Sequence, residues 1–500
     1  MGFPPSISRL KVMQARLIKY LKRTLLLLVV IGATLLGVRA WDSQRGASLE
    51  LWHTHVPHEM HAPALDKADW AAYLAAEEAI FRTLRAEVVD RLDQESRMLG
   101  NRFFAGSPIY PGNFVQDWNR SYILEPDGAP TGAVVVLHGL TDSPYSLRHI
   151  ARRYREAGFV VIAIRLPGHG TVPAALTDVE WEDWMAATRL AVREARRRTQ
   201  APLHVVGFSN GGALAMKYAL DALDDRSLAR PDRLVLISPM IGITSFARFV
   251  GFAELPAMLP AFAKAAWLGI VPEFNPFKYN SFPVNGARQS HRLTAALQDR
   301  IARAARDGSL DRLAPVLTFQ SVVDFTVSTR AIISALYDQL PANGSELVLF
   351  DINRSATIGP LLRSASETVL SRLLGDPPRK FRTTIITNAS ADRNEVVEQV
   401  TEAGATTQQI RELPLSFPPG IFSLSHVALP FPVTDALYGL TPDKSEDFGV
   451  NLGALAPRGE RGVLIVNLDS LLRVSSNPFY PYLIDRIAEG IVAGSKPRLQ

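Results

Sequence analysis

The sequence has no cysteine in 500 residues. That excludes a disulfide framework, a thiolate nucleophile and any zinc site built on thiolates. Acidic residues are missing before Asp42, whereas six basic residues (Arg9, Lys11, Arg16, Lys19, Lys22 and Arg23) fall in the first 23 positions. The other 48 Lys and Arg residues face 49 Asp and Glu, so the body is nearly neutral and its basic excess is confined to one end. No basic stripe interleaved with aromatics is present, which argues against a nucleic-acid partner. Internal repeats and low-complexity tracts are absent as well. What remains, 47% hydrophobic and 21% charged residues, is the composition of a large globular protein.

The basic end runs into Thr24 to Val38, an apolar stretch with no charge between Arg23 and Arg39. With its Leu/Tyr flank it approaches the 17 to 20 residues or so that cross a bilayer. Positive charge on its N-terminal side predicts a cytoplasmic N-terminus and an exported body. The competing reading is a cleaved signal peptide, with Val38-Arg39-Ala40 as an imperfect cleavage site. The long basic region and the arginine beside that site favour an uncleaved anchor over residues 1–40.

A leader over 41–115 follows. It opens on Trp52-His53-Thr54-His55-Val56-Pro57-His58-Glu59-Met60-His61, which holds four of the ten histidines. Pro57 breaks helical spacing and no acidic ligand pair sits at metal-site spacing. The stretch is therefore expected to pack on the main domain, and no metal or cofactor is expected. Trp70, Leu74, Glu77, Phe81, Leu84 and Val88 recur at three- and four-residue steps, predicting an amphipathic helix over 68–99.

From residue 116 the pattern becomes α/β. Strands are predicted at Ala133–Leu137, Phe159–Ile164, Leu203–Val206, Leu234–Ile237, Pro315–Gln320 and Leu347–Phe350. Helices are predicted at Leu147–Ala157, at Glu182–Arg198 and directly after Ser209. Such alternation implies a mostly parallel sheet with helices on both faces. Two insertions are expected. One, about 240–313, contains the apolar run Phe246 to Phe277. It follows a strand end, where α/β sites are built, and is read as a lid over an apolar substrate, with Phe249 and Phe262 as candidate binding residues. The other, about 355–413, is expected to carry a helix and one strand, Thr383–Ile386.

The chemistry centres on Gly207-Phe208-Ser209-Asn210-Gly211, where an apolar strand meets a helix. A serine on so sharp a turn is pushed clear of the sheet, and side chains at 207 or 211 would crowd it. Its hydroxyl needs a base, the base needs an orienting acid, and the tetrahedral intermediate needs N–H donors. In the order Ser, acid, His, the acid is Asp324 after one strand or Asp351 after the next, with Asp324 favoured. The base is His426, the only histidine downstream of Asp324. Leu137-His138-Gly139-Leu140 after a strand suggests oxyanion donors in the amides of Leu140 and Asn210. His138, and His169 in Arg165-Leu166-Pro167-Gly168-His169-Gly170, are read as loop-shaping residues.

Taken together, His138-Gly139-Leu140-Thr141-Asp142-Ser143-Pro144, Arg165 to Gly170, Gly207 to Gly212, the late Asp324 and the later His426 resemble the α/β-hydrolase superfamily. Within it, the chain resembles the bacterial branch of monoacylglycerol lipases, lysophospholipases and serine aminopeptidases. The resemblance covers about 116–330 and 420–440. It implies the α/β-hydrolase fold, Ser209 as nucleophile, Asp324 as acid, His426 as base and a cap between strands. One departure stands out: His426 follows Asp324 by 102 positions, where the superfamily usually leaves a few tens. The expectation is a membrane-anchored serine hydrolase acting on lipophilic carboxylic esters. Acyl transfer by the same triad, peptidase activity and a non-catalytic scaffold are the alternatives.

Overall fold

The computed structural model describes residues 7–242, 256–257, 259–355, 369–455, 464–465, 471, 473 and 475–494, with side chains from residue 16 onward except at 260, 369, 493 and 494. Phe249 of the expected lid lies outside the described residues.

A ten-stranded sheet organises the body. Its strands in chain order are β1 (Tyr122–Leu124), β2 (Gly132–Leu137), β3 (Phe159–Ala163), β4 (Leu203–Phe208) and β5 (Arg233–Ile237). A two-stranded ribbon, β6 (Trp267–Gly269) with β7 (Phe282–Pro283), stands apart from it. The main sheet resumes with β8 (Val316–Ser321), β9 (Glu346–Phe350), β10 (Arg382–Asn388), β11 (Glu395–Thr401) and β12 (Gln409–Ser416). The spatial order is β1-β3-β2-β4-β5-β8-β9-β10-β11-β12. The run from β3 to β10 is parallel, while β1, β11 and β12 pair antiparallel at the two edges.

Parallel strands are covered on both faces, and this is why they read as unbroken apolar runs. Ala133, Val135 and Leu137 of β2 join one core with the helices Trp181–Arg198, Asn210–Asp221 and Val284–Asp307. Val134 and Val136 join the opposite core with the helices Arg148–Glu156 and Tyr480–Gly494. Gly158, at φ +88, ends the Arg148–Glu156 helix in the left-handed conformation a glycine adopts freely.

Three expectations differ from the structure. The leader helix is Trp70–Glu87, capped by the Asp69 carboxylate on Ala72 N at 2.8 Å, and ends well short of residue 99. Its buried face is Trp70, Tyr73, Glu77 and Ile80, turned one position from the stripe expected through Leu74 and Phe81. The second insertion holds three strands. β10 continues the parallel sheet beside β9, and β11 and β12 extend it as a polar antiparallel edge. In β12 the charged and amide side chains face solvent, so the apolar pattern that reveals core strands is missing. The last part of the expected lid is core. Leu293, Leu297, Ile301 and Ala304 of the Val284–Asp307 helix are buried at helical spacing in the first core.

The leader is locked onto the body through a buried arginine. Arg165 is paired bidentately with Glu59, at 2.7 and 3.0 Å, and with Glu77 at 3.1 Å. Burial opposes its charge, but the two glutamates outweigh that and hold its pKa well above the usual range. Glu59 also accepts from Gly168 N at 2.9 Å, so the leader shapes the 165–170 loop. His53 is buried and held neutral, its pKa lowered by burial to about 4. Its ring accepts from Glu50 N at 3.0 Å and meets Ser281 Oγ at 3.0 Å, and it lies edge-on to Trp267. His61 contacts Asp183 at 3.1 Å. Both residues of this histidine-rich stretch fasten the leader to the domain.

Candidate active site

Ser209 stands between β4 and the Asn210–Asp221 helix with φ 53° and ψ −114°. This is a strained backbone for a residue with a side chain. Close packing enforces it. A Cβ at Gly207 would lie 2.3 Å from Gly211 O, and one at Gly211 would lie 2.0 Å from Leu137 O. Ser209 N donates to Ile237 O at 2.9 Å, and Met240 N donates to Ser209 O at 3.0 Å, so the turn is also tied to the end of β5.

His426 opens a short 3-10 turn, His426–Ala428. Its Nε2 lies 2.9 Å from Ser209 Oγ and its Nδ1 lies 2.8 Å from Asp324 Oδ2. The ring stacks on Phe208 with centroids 5.3 Å apart. Asp324 follows β8, and its second oxygen accepts from Thr326 N at 2.7 Å and Val327 N at 3.0 Å. The carboxylate is wholly shielded from solvent. Burial alone would raise its pKa; the His426 ring and the two amides outweigh burial and hold it below the usual carboxylate range. Asp351 is elsewhere, bound to Arg354 Nε at 2.9 Å and Thr387 Oγ1 at 2.9 Å. The structure thus brings Ser209, His426 and Asp324 into one hydrogen-bonded line and leaves Asp351 out of it.

The 138–142 loop lies against Ser209. A Cβ at Gly139 would be 3.3 Å from Ser209 Cβ. Among the described residues, neither Leu140 N nor Asn210 N donates to a protein acceptor. The Asn210 side chain is fully buried, and neither its oxygen nor its nitrogen has a partner. His138 shapes this loop: its Nδ1 donates to Gly139 O at 2.9 Å and its Nε2 accepts from Leu166 N at 3.0 Å. Burial lowers its pKa far below the ordinary histidine value, which keeps that pairing neutral. His169 is bound to Pro167 O at 3.0 Å and is likewise buried.

Sequence reasoning missed a buried cluster nine residues beyond His426. Asp435 is completely buried. It pairs with Arg148 at 2.6 Å, His149 at 2.9 Å and the Tyr145 hydroxyl at 2.9 Å. It also receives Leu437 N and Tyr438 N. Burial would raise its pKa, but Arg148 and His149 overcome this and hold it far below the usual range. No local motif announces such a cluster, because its members are separated by some 290 positions.

Residues 128–353 match the family model described as serine aminopeptidase, S33. A thermostable monoacylglycerol lipase of Bacillus sp. (strain H-257) is 29% identical over 204 residues, which are 40% of this chain and 73% of that one. A monoacylglycerol lipase structure from Paleococcus ferrophilus matches at 20% identity with a TM-score of 0.34, over 50% of this chain and 99% of that one. One of two metagenome-derived lipolytic enzymes matches at 24% identity with a TM-score of 0.38, over 52% and 96%. The mostly parallel sheet is that of the α/β-hydrolase fold, the segment 128–353 matches the serine aminopeptidase S33 family, and the chain is distantly similar to monoacylglycerol lipases and esterases.

Proposed function

We propose that the chain is a membrane-anchored serine hydrolase that cleaves carboxylic esters of apolar acyl groups. The observation that carries this reading is the line from Ser209 Oγ through the His426 ring to Asp324. In that line Nε2 takes the hydroxyl proton as Oγ attacks the ester carbonyl carbon. Asp324 holds the Nδ1–H tautomer and stabilises the imidazolium that forms. The unpaired amides of Leu140 and Asn210 supply donors to the oxyanion. Collapse breaks the carbon–oxygen bond, and His426 returns the proton to the departing alcohol. Water then attacks the acyl-enzyme with His426 as base, releasing the acid and restoring Ser209.

Exposed apolar groups close in sequence to the triad residues support a lipophilic acyl chain. Phe325, directly after Asp324, is 91% exposed, and Phe422, four residues before His426, is 59% exposed. Phe262 is half-buried in the expected lid. An ester is favoured over a peptide because the acid on the oxyanion loop, Asp142, is poorly suited to holding a substrate ammonium. It is buried, its pKa is raised by that burial to about 6, and the charge acting on it most strongly is Lys278. The anchor is supported by the helical stretch Arg16–Ser43, which is long and apolar enough to cross a bilayer and has none of its apolar window buried. With the basic residues on its N-terminal side, the body is assigned to the exported face.

The test is a homologous p-nitrophenyl ester series below the critical micelle concentration, with fluorophosphonate labelling of the same preparation. Labelling should occur and be lost in Ser209→Ala. Each buried methylene is worth about 0.8 kcal/mol, so kcat/KM should rise roughly tenfold for every two carbons from acetyl toward medium chains. Phe249→Asp and Phe262→Asp should flatten that gradient more than they lower acetyl hydrolysis. A steady decline from acetyl upward would remove the apolar-substrate reading.

A further inference from the structure

We propose that the C-terminal end of the N-terminal helix and the segment 259–271 form a single surface that docks on a lipid bilayer. The helix would then hold the lid at the membrane rather than merely tether the protein. This rests on the anchor reading above and adds to it the partner of the lid's outer face.

The helix Ile7–Ser43 stands clear of the body along its apolar stretch and meets it near its C-terminal end. There the Arg39 guanidinium donates to Trp267 O and, at 3.2 Å, to Ala265 O. Gln44 donates to Ala261 O at 2.6 Å. Two side chains of the helix end thus grip three carbonyls of one lid segment. An arginine closing an apolar span reaches the boundary between hydrocarbon and headgroups. The carbonyls it binds must lie at that same depth.

The gripped segment is two-faced. Trp267 turns inward, 4% exposed, into a cluster with Trp52 and Phe103. Leu259, Leu268 and Val271 turn outward and are 60%, 43% and 40% exposed. On the helix end between Arg39 and Gln44, Trp41 is also exposed, with the Arg45 guanidinium 4.9 Å over its ring. Tryptophan and arginine at the end of an apolar span are the side chains that suit a membrane interface. Exposed apolar groups gathered in this way mark a contact surface. This one is continuous with a helix suited to lipid, and Arg45 and Lys264 provide positive charge that anionic headgroups attract. A bilayer satisfies both halves. An ester dissolved in the membrane would then reach the lid without crossing water.

The absence of cysteine makes a direct test possible. Single cysteines are placed at Leu268, at Leu28 in the helix and at Ile410 on the exposed edge strand. Each is labelled with an environment-sensitive fluorophore in the full chain, reconstituted in phosphatidylcholine/phosphatidylglycerol vesicles. Quenching by lipid-borne spin labels is expected at 28 and 268 and not at 410. Quenching at 28 without 268 overturns the docking proposal and leaves the anchor standing. Quenching at neither overturns both. A 268 label shielded by self-association but untouched by the lipid quencher would assign the face to a second copy and overturn the proposal. In the same vesicles, Leu259→Glu/Leu268→Glu/Val271→Glu should lower kcat/KM at least tenfold for a membrane-dissolved ester and less than twofold for a water-soluble acetyl ester. An equal loss on both substrates overturns it.

Discussion

Ser209 is held by backbone atoms of its own turn and of the adjoining strand ends, whereas the segment that follows His426 is pinned at Asp435 by side chains some 290 positions away. The serine turn follows from Gly207 and Gly211, where any Cβ would strike backbone, and from ties to the neighbouring strand end. The histidine segment is fastened by a buried carboxylate, Asp435, gripped by Arg148, His149 and Tyr145 from another element. The difference teaches that the two sides of one hydrogen-bonded line can fail separately. Steric strain is set locally and persists in any folded state that keeps the strand and helix. Buried ion pairs require both partners to be present and correctly charged.

The sharpest probe is the serine itself. Ser209→Ala should cost about 10⁶ in kcat, as loss of a nucleophile does in a well-measured triad. The far-UV circular dichroism and melting temperature should stay unchanged, because the turn does not rely on the hydroxyl. Next comes the acid. Asp324→Asn should cost about 10⁴ by presenting the wrong histidine tautomer. Asp351→Asn, whose partners are Arg354 and Thr387, should stay within about tenfold of the parent. Kinetics of both variants on one soluble ester decide the matter, and the reverse ranking would reassign the acid.

The histidine side is tested through stability. Asp435→Asn leaves the buried Arg148 with Glu446, at 3.1 Å, as its remaining carboxylate and should cost about 3 kcal/mol in urea unfolding. A loss of activity that tracks unfolding would place Asp435 in support of the His426 segment. The smallest effect expected is on pH dependence. Asp435 has a depressed pKa in the fold, so the unfolded chain binds its proton first. Its contribution is fully present above the unfolded value, about 3.9, and is lost as pH falls below it. The melting temperature of the parent should therefore fall more steeply than that of Asp435→Asn as pH drops from about 5 toward 3. Parallel slopes would show that Asp435 is not a charged partner of Arg148.

Much of the architecture was legible because doubly covered parallel strands are largely apolar, as β2 is throughout and β4 and β9 are apart from His204 and Glu346. β11 and β12 were not legible. At the sheet's edge one face meets water, and Glu395, Gln409, Arg411 and Glu412 conceal the strand period. Their presence also accounts for much of the long interval between Asp324 and His426. The leader's attachment was hidden for another reason. Nothing local to Glu59 or Glu77 names a cation for them, and Arg165, which lies between them, is about a hundred positions away.

The sequence by itself determined the alternation of strands and helices, the strand–turn–helix around Ser209 and the apolar helix with its one-sided charge. Each follows from periodicity, glycine sterics or hydropathy acting over a few tens of residues. Tertiary structure alone decided which of two aspartates meets His426. It also decided which buried carboxylate answers which arginine, and where the end of the N-terminal helix meets the segment 261–267. Those outcomes depend on groups far apart in the chain, whose charges are buried only when each finds its partner. No local pattern specifies that pairing.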